Sequence, residues 1–297
     1  MGLSVFSFYL YASASIDPSK DLDYWLKKID ESVTPATRKK DIKFPEIDLD
    51  FLSFFIGVID GDGYIQCRKR LNGYIEFNLV ITFQNRDLKT FEFIENKLNL
   101  GTIKRVSDSL SKFVVYNFEL KYILTPLFLK NNLYFLTKNR IEQYNLLLYT
   151  IENNIKKWEF LPEIIPNYNP FNVDNSSELL SINYFKNWLV GFVTAEGSFY
   201  EQNNKEFYFN VSQTGNRALM LAIHLLFNPS RNLYYNDKTQ GSIVRMSSTK
   251  DIQKVINFFS VDNNHPLVGY KKDQYLIWLE NLKKSGRYKD LKYPTLI

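Results

Sequence analysis

One stretch of this chain occurs twice. Residues 55–63 read FIGVIDGDG and residues 188–199 read WLVGFVTAEGSF, so Gly57 matches Gly191, Gly61 matches Ala195 and Asp62 matches Glu196. The segment after each copy repeats too: GYIEFNLVITFQNRD (73–87) corresponds to KEFYFNVSQTGNRAL (205–219), and in both a period-two alternation ends on a glutamine, Gln84 or Gln213. A third pair, FLTKNRIEQYNLLLY and LVGYKKDQYLIWLEN, sets a Lys/Arg cluster before a helix with an aromatic stripe. Three correspondences in one order make the chain a diverged repeat, and each copy reads helix, two strands, helix, two strands, helix.

The repeat sets the boundaries. Residues 44–160 and 181–297 form two halves, joined by a linker at 161–180 that is rich in proline and asparagine and lacks periodicity. The expected class is α+β, two pseudo-symmetric αββαββα halves with antiparallel sheets. Residues 1–43 form an extension with one plausible helix over 21–29. Its apolar opening, residues 1–15, has no basic segment before it and is too short to span a bilayer, so no membrane partner is expected.

The repeated run is apolar all round between Leu52 and Ile59, with Asp48 or Asp50 available as a cap, so it reads as a buried helix. Gly57 and Gly61 are four apart, as are Gly191 and Ala195. Small residues at that spacing let two helix backbones approach closely. Two such helices side by side would deliver Asp62 and Glu196 to one place, at helix ends that already carry about half a negative charge. A divalent cation between the carboxylates offsets that repulsion. Oxygen-only ligands suit a hard ion such as Mg²⁺, and carboxylates sharing metal over a phosphodiester support phosphoryl transfer. A plain DGDG turn would have no reason to recur behind a matching helix. A calcium loop of the EF-hand kind fails, because the twelfth position from Asp60 is Leu71 where Glu is required.

The remaining composition narrows the class. A single cysteine, Cys67, and two histidines, His224 and His265, exclude a disulfide framework and a Cys- or His-built metal site. The excess of 37 Lys and Arg over 32 Asp and Glu suits a polyanionic partner. Abundant Phe, Tyr, Asn, Ile and Lys match AT-rich codons, a feature of organellar genomes.

On these residues the chain resembles the LAGLIDADG homing endonucleases, in the single-chain, two-motif form encoded by fungal organellar introns. FIGVIDGDG and LVGFVTAEG each align without gaps to the nine-residue name motif, and the likeness runs from about residue 47 to the C-terminus. The resemblance implies saddle-shaped antiparallel sheets straddling double-stranded DNA and metal-dependent cleavage of both strands across the minor groove. It implies a monomer that is an internal pseudo-dimer, and a mitochondrial location. It makes Asp62 and Glu196 the catalytic metal ligands, joined by the carbonyls of Gly61 and Ala195, with Mg²⁺ as cofactor and Mn²⁺ or Ca²⁺ able to occupy the site. It places Gln84 and Gln213 near the attacking water. Basic residues before the last helices serve there too, Lys138 and Lys271, with Arg140 and Lys272 as rivals. The sixth motif position is Asp60 in one copy and Thr194 in the other, which implies altered helix-end hydrogen bonding without loss of activity. The alternative readings are an RNA-binding maturase, with intron RNA as partner, and a catalytically silent DNA-binding protein.

Strand alternation assigns the faces. Ile75, Phe77, Leu79, Ile81 and Phe83 should cover the helices. The DNA face is then Tyr64, Gln66, Arg68 and Arg70 on the first strand, Tyr74, Glu76, Asn78, Val80 and Thr82 on the second, and Glu206, Tyr208, Asn210 and Ser212 in the other half. These side-chain types read base edges. Lys104 and Arg105, with the 68–70 cluster, are expected on phosphates. Two sheets end to end imply a target of about fifteen to twenty base pairs, asymmetric because the halves differ.

Overall fold

The computed structural model describes residues 10–12, 22–33, 46–203 and 205–294. Most of the 1–43 extension, including nearly all its apolar opening, lies outside the described residues. What is described there is a short strand β1 (Leu10–Ala12) and helix α1 (Leu22–Ser32), which falls where a helix is expected.

The first half opens on α2 (Leu49–Asp62), whose N-terminus is capped by the Asp48 carboxylate accepting from the Phe51 N–H at 3.3 Å. Residues 51–60 are all buried, as a helix apolar on every side must be. It runs straight into β2 (Gly63–Lys69), which pairs with β3 (Ile75–Gln84); next come α3 (Leu88–Leu98), β4 (Thr102–Arg105) and β5 (Leu110–Val115). These strands form an antiparallel sheet in the order β2-β3-β5-β4. Phe77, Leu79, Ile81 and Phe83 are buried on its helix side, the face that alternation assigned to them. The half closes with α4 (Thr125–Lys130) and α5 (Lys138–Glu152).

The second half repeats the plan. After β6 (Ile164–Pro166) and α6 (Ser176–Ser181) comes the second motif helix α7 (Phe185–Glu196), then β7 (Gly197–Glu201), β8 (Phe207–Thr214), α8 (Arg217–Phe227), β9 (Tyr234–Asn236) and β10 (Gly241–Met246). The sheet order is β7-β8-β10-β9, the counterpart of the first. Helices α9 (Thr249–Ser260) and α10 (Gly269–Lys284) complete it.

Two details depart from the sequence reading. Each half carries an extra helix before its last one, α4 and α9, so the plan is αββαββαα. The connector is also structured: β6 pairs in parallel with β1, and α6 is capped by Asn175.

The halves meet where α2 lies against α7. A Cβ on Gly57 would stand 1.9 Å from the Trp188 carbonyl oxygen, and one on Gly191 would stand 1.8 Å from that of Phe54. Both obstacles are backbone and cannot rotate away. Gly57→Ala or Gly191→Ala is therefore expected to cost at least about 3 kcal/mol, the upper end of overpacking penalties, or to prevent folding. Gly286→Ala, where an added Cβ meets nothing within 4 Å, is the control and should be near neutral in urea unfolding.

Candidate active site

The packing of α2 on α7 brings the motif acids together. A Cβ on Gly61 would fall 2.4 Å from the Ala195 Cβ and 3.4 Å from the Glu196 Cγ, so the last turns of the two helices touch. Asp62 is open to solvent and Glu196 is half-buried beside it. The Gln213 amide Nε2 donates to Glu196 Oε1 at 3.4 Å. A cleft of about 260 Å³ opens there, bounded by Glu196, Ser212, Gln213, Tyr234 and Ser242. Gln84 stands exposed at the end of β3.

Two cations flank the acids, one from each terminal helix. Lys271 on α10 is buried and donates from Nζ to the Gly197 carbonyl at 2.5 Å and to Gln274 Oε1 at 3.1 Å. Arg140 on α5 donates from Nε to the Ile59 carbonyl at 3.2 Å and from Nη1 to Gln143 Oε1 at 3.2 Å. In each half the cation touches its motif helix or the strand after it, and a glutamine three residues later.

Lys138, the basic residue assigned to the first half, is elsewhere: its Nζ pairs with Asp174 Oδ1 at 2.7 Å. The structural counterpart of Lys271 is Arg140. Aligning RIEQY with KKDQY on the shared Gln-Tyr makes this visible in sequence, and it places Lys138 opposite Gly269. Lys272, the other rival, is exposed.

Asp60, at the motif position where altered helix-end hydrogen bonding is expected, is a structural hub. It is buried and accepts four hydrogen bonds, from the Leu136 N–H at 2.8 Å, the Thr137 N–H at 3.1 Å, the Thr137 hydroxyl at 2.5 Å and the Trp188 indole at 2.8 Å. It ties the start of α5 to both motif helices. Thr194, its partner position, donates back to the Val190 carbonyl of its own helix at 2.9 Å. Asp87 was not anticipated. Burial pulls the Lys271 ammonium below its ordinary value, and the charge of Asp87 is the first of the influences that oppose this.

On the predicted DNA face, Gln66 and Arg68 stand exposed and Tyr64 is half-buried along β2, as alternation requires. Arg70 and Tyr74 are exposed but sit in the turn between strands, where the Arg70 N–H donates to the Tyr74 carbonyl. Thr82 is half-buried, in register with Lys112. Glu76, Asn78 and Val80, at 5%, 4% and 5% exposure, depart from the expected presentation. They lie on an inner strand, and Arg68 and Arg70 fold over Glu76. In the second half Ser212 is exposed, Glu206 and Asn210 are half-buried, and Tyr208 is buried. Glu206 accepts from Arg287 Nη1 at 2.6 Å, and Asn210 Nδ2 donates to the Tyr200 hydroxyl at 2.8 Å. Arg245, in register with Asn210, and Arg231 hold their guanidinium groups 5.8 and 5.9 Å from the Tyr208 ring centre. Alternation along the first two strands of each half reveals neither arginine, because both come from outside those strands. Of the phosphate cluster, Arg105 is occupied by Asp108 at 2.8 Å.

Two pseudo-symmetric halves, paired by glycine-bearing helices that end in juxtaposed acids, with an antiparallel sheet on each, define the class of single-chain two-motif LAGLIDADG proteins. The sequence profile described as LAGLIDADG endonuclease matches residues 55–146 and 189–282, and the chain belongs to that family. A probable intron-encoded endonuclease aI3 of Dictyostelium citrinum is 25% identical over 226 residues, spanning 75% of this chain and 91% of that protein. A probable intron-encoded endonuclease 4 of Neurospora crassa is 27% identical over 78% of this chain, which spans only 40% of that longer protein. Among solved structures, I-SmaMI bound to an uncleaved DNA target in the presence of calcium superposes with a TM-score of 0.60 at 20% identity, over 78% of this chain and 91% of its own. I-GzeII in complex with its DNA target gives 0.57 at 21%, over 80% and 90%.

The electrostatics of the pair are unfavourable without a counter-ion. Burial pushes the Glu196 carboxyl up to about 7, and the charge of Asp62 adds to this against the Gln213 bond and the charges of Arg140 and Lys271. Asp62 is also raised: although its residue is exposed at the surface, the protein packed around the carboxyl displaces part of its water, and the charge of Asp87 adds to this. An acid raised from its ordinary value of 4.5 costs stability progressively as pH climbs from there through about 7. In EDTA, Glu196→Gln should therefore raise the melting temperature at pH 8 and leave it little changed at pH 4.5, as read by differential scanning fluorimetry.

Proposed function

We propose that the chain is a homing endonuclease that cleaves both strands of a long asymmetric DNA target across the minor groove, using Mg²⁺ held between the halves. The observation that carries the mechanism is the convergence of Asp62 and Glu196 at touching helix ends, where the Glu196 carboxyl stays raised despite the charges of Arg140 and Lys271.

The donor set fits a hard divalent ion. It is oxygen only, and among the described residues no three His, Cys, Asp or Glu side chains converge, so the shell would be completed by the Gly61 and Ala195 carbonyls, water and phosphate oxygens. The bound ion would supply Lewis-acid activation of the phosphodiester and of water. Mn²⁺ or Ca²⁺ fits the same donors.

The chain's own residues do the rest. Arg140 and Lys271 carry positive charge beside the acids, where charge builds on the phosphate in the transition state. Their bonds to Ile59 and Gly197 fix them to the first motif helix and to the residue directly after the second, so their position tracks that of the carboxylates. Gln213, and Gln84 in the matching place, orient water at the rim of the cleft. Because both halves lie in one chain, a monomer holds a complete site. The names of the relatives, which include Cox1-I1b of Schizosaccharomyces pombe, support an intron-encoded origin and a mitochondrial location.

Asp62→Asn and Glu196→Gln should each lower cleavage by at least about a thousandfold, with DNA affinity in Ca²⁺ changed less than tenfold; loss of both together would make the acids structural. Removing one transition-state donor typically costs about a hundredfold or more. Arg140→Ala should show such a loss in single-turnover cleavage, while Lys138→Ala, held by Asp174, should stay within about threefold.

A further inference from the structure

The first half's DNA face holds a buried carboxylate under two arginines, and the hydrogen bonds there are unequally shared. Glu76 Oε1 accepts from Arg68 Nη2 at 3.0 Å and from Asn78 Nδ2 at 3.2 Å. Its Oε2 accepts from Arg68 Nε at 3.3 Å and from Arg70 Nε at 2.6 Å. Asn78 is itself fixed, since its Oδ1 accepts from the Asn117 N–H at 3.1 Å. Four donors, two on each oxygen, fill the carboxylate's roughly four acceptor sites. Nothing is left on Glu76 with which to accept from a cytosine amino group.

The two guanidinium groups differ in what remains. Arg68 spends the whole Nε/Nη2 edge on Glu76, which leaves mainly Nη1 for another partner. Arg70 spends Nε alone, and among the described residues its Nη1 and Nη2 make no hydrogen bond. That end-on pair is the fork that matches guanine O6 and N7. Its backbone is pinned as well: the Arg70 N–H donates to the Tyr74 carbonyl at 2.8 Å, and the Gly73 N–H donates to the Arg70 carbonyl at 2.9 Å. The Arg70 side chain is 56% exposed, so the fork can reach a ligand while its root cannot wander.

We infer that Arg70 reads a guanine in the first half-site and that Glu76 does not touch DNA but is the positioning residue that aims Arg70's free fork. Glu76 sets the direction, Asn78 sets Glu76, and Arg68 completes the carboxylate's hydrogen-bond shell, leaving the cluster with one net positive charge. An arginine ordered before binding loses less side-chain entropy on contact, so the discrimination it makes is larger than that of a freely swinging one. The inference rests on the DNA-cleaving function proposed for the chain and specifies one of its base contacts.

The test is selection from synthetic duplexes with a randomised segment of about 20 base pairs, enriched by binding in Ca²⁺ and by cleavage in Mg²⁺. The proteins compared are wild type, Arg70→Lys, Glu76→Gln and Glu76→Ala, each first checked for native circular dichroism and melting. The expected result is one position at which wild type prefers guanine about tenfold or more. Arg70→Lys keeps the charge but loses the fork, so it should lose that preference while retaining the salt dependence of binding. The Glu76 variants should relax the same position and no other. A uniform loss of affinity at every sequence would make Arg70 a phosphate contact and overturn the inference. So would a Glu76 variant that relaxes a cytosine preference elsewhere, which would make Glu76 a base reader. If wild type enriches no sequence at all, the endonuclease reading falls and takes this one with it. Enrichment by wild type with unaltered profiles in all variants defeats this inference alone.

Discussion

The contact on which the rest of the molecule depends is backbone against backbone. Gly57 and Gly191 each give up a side chain so that the opposing helix can lay a carbonyl where a Cβ would be. With α7 against one side of α2 and the first sheet against the other, residues 51–60 are buried without interruption. The same closeness leaves the two helix ends no room to diverge. The acids meet because the glycines do.

Two carboxylates arrive at the end of α2 and meet opposite fates. Asp60 faces inward and gathers four donors from α5's entry and from Trp188 across the interface. Even so, burial holds it up at about 6. It works as a rivet whose heads lie in different halves. Asp62, two residues on, turns outward, where its neighbours are Glu196 and Asp87 and the nearest cations are tied to backbone carbonyls. A fold that satisfies one acid fully and leaves its near neighbour less compensated at the same helix end concentrates its local conflict at the proposed centre.

Much of this was legible in the sequence because the repeat supplies its own control: a pattern that occurs twice in order is structure, and a position that changes between copies is open to divergence. The motif helices, the strand faces and the pairing of Asp62 with Glu196 come from spacing alone. The basic residue did not, since a charge cluster such as KNR offers several candidates and only the Gln-Tyr downstream of it fixes the register; Lys138 sits two residues early and serves Asp174 instead. Alternation told which face Glu76 and Asn78 share but not that Arg68 and Arg70 fold over Glu76, because cover comes from the reach of long side chains around it. A hydrogen-bonding role for Asp60 was legible but its donors were not, since Leu136, Thr137 and Trp188 are all remote in sequence.

The asymmetry between the halves has a physical reading of its own. Asp60 corresponds to Thr194, Asp87 to Asn216, and Arg140 to Lys271. In a homodimer each of these substitutions would have to be tolerated in both copies at once. Joined in one chain, the halves share the close helix packing and the paired acids but are otherwise free to settle separate electrostatic problems. Asn216 uses its side-chain oxygen to accept from the Lys138 N–H at 3.0 Å, reaching across to the other half, whereas Asp87 places a charge near Lys271. The side of the centre with Asp87 thus carries one more acid and a lysine, and the other carries an amide and an arginine that stays charged at any working pH. The two strands of a bound duplex would therefore meet chemically distinct surroundings, in keeping with sheets whose side chains also differ from half to half.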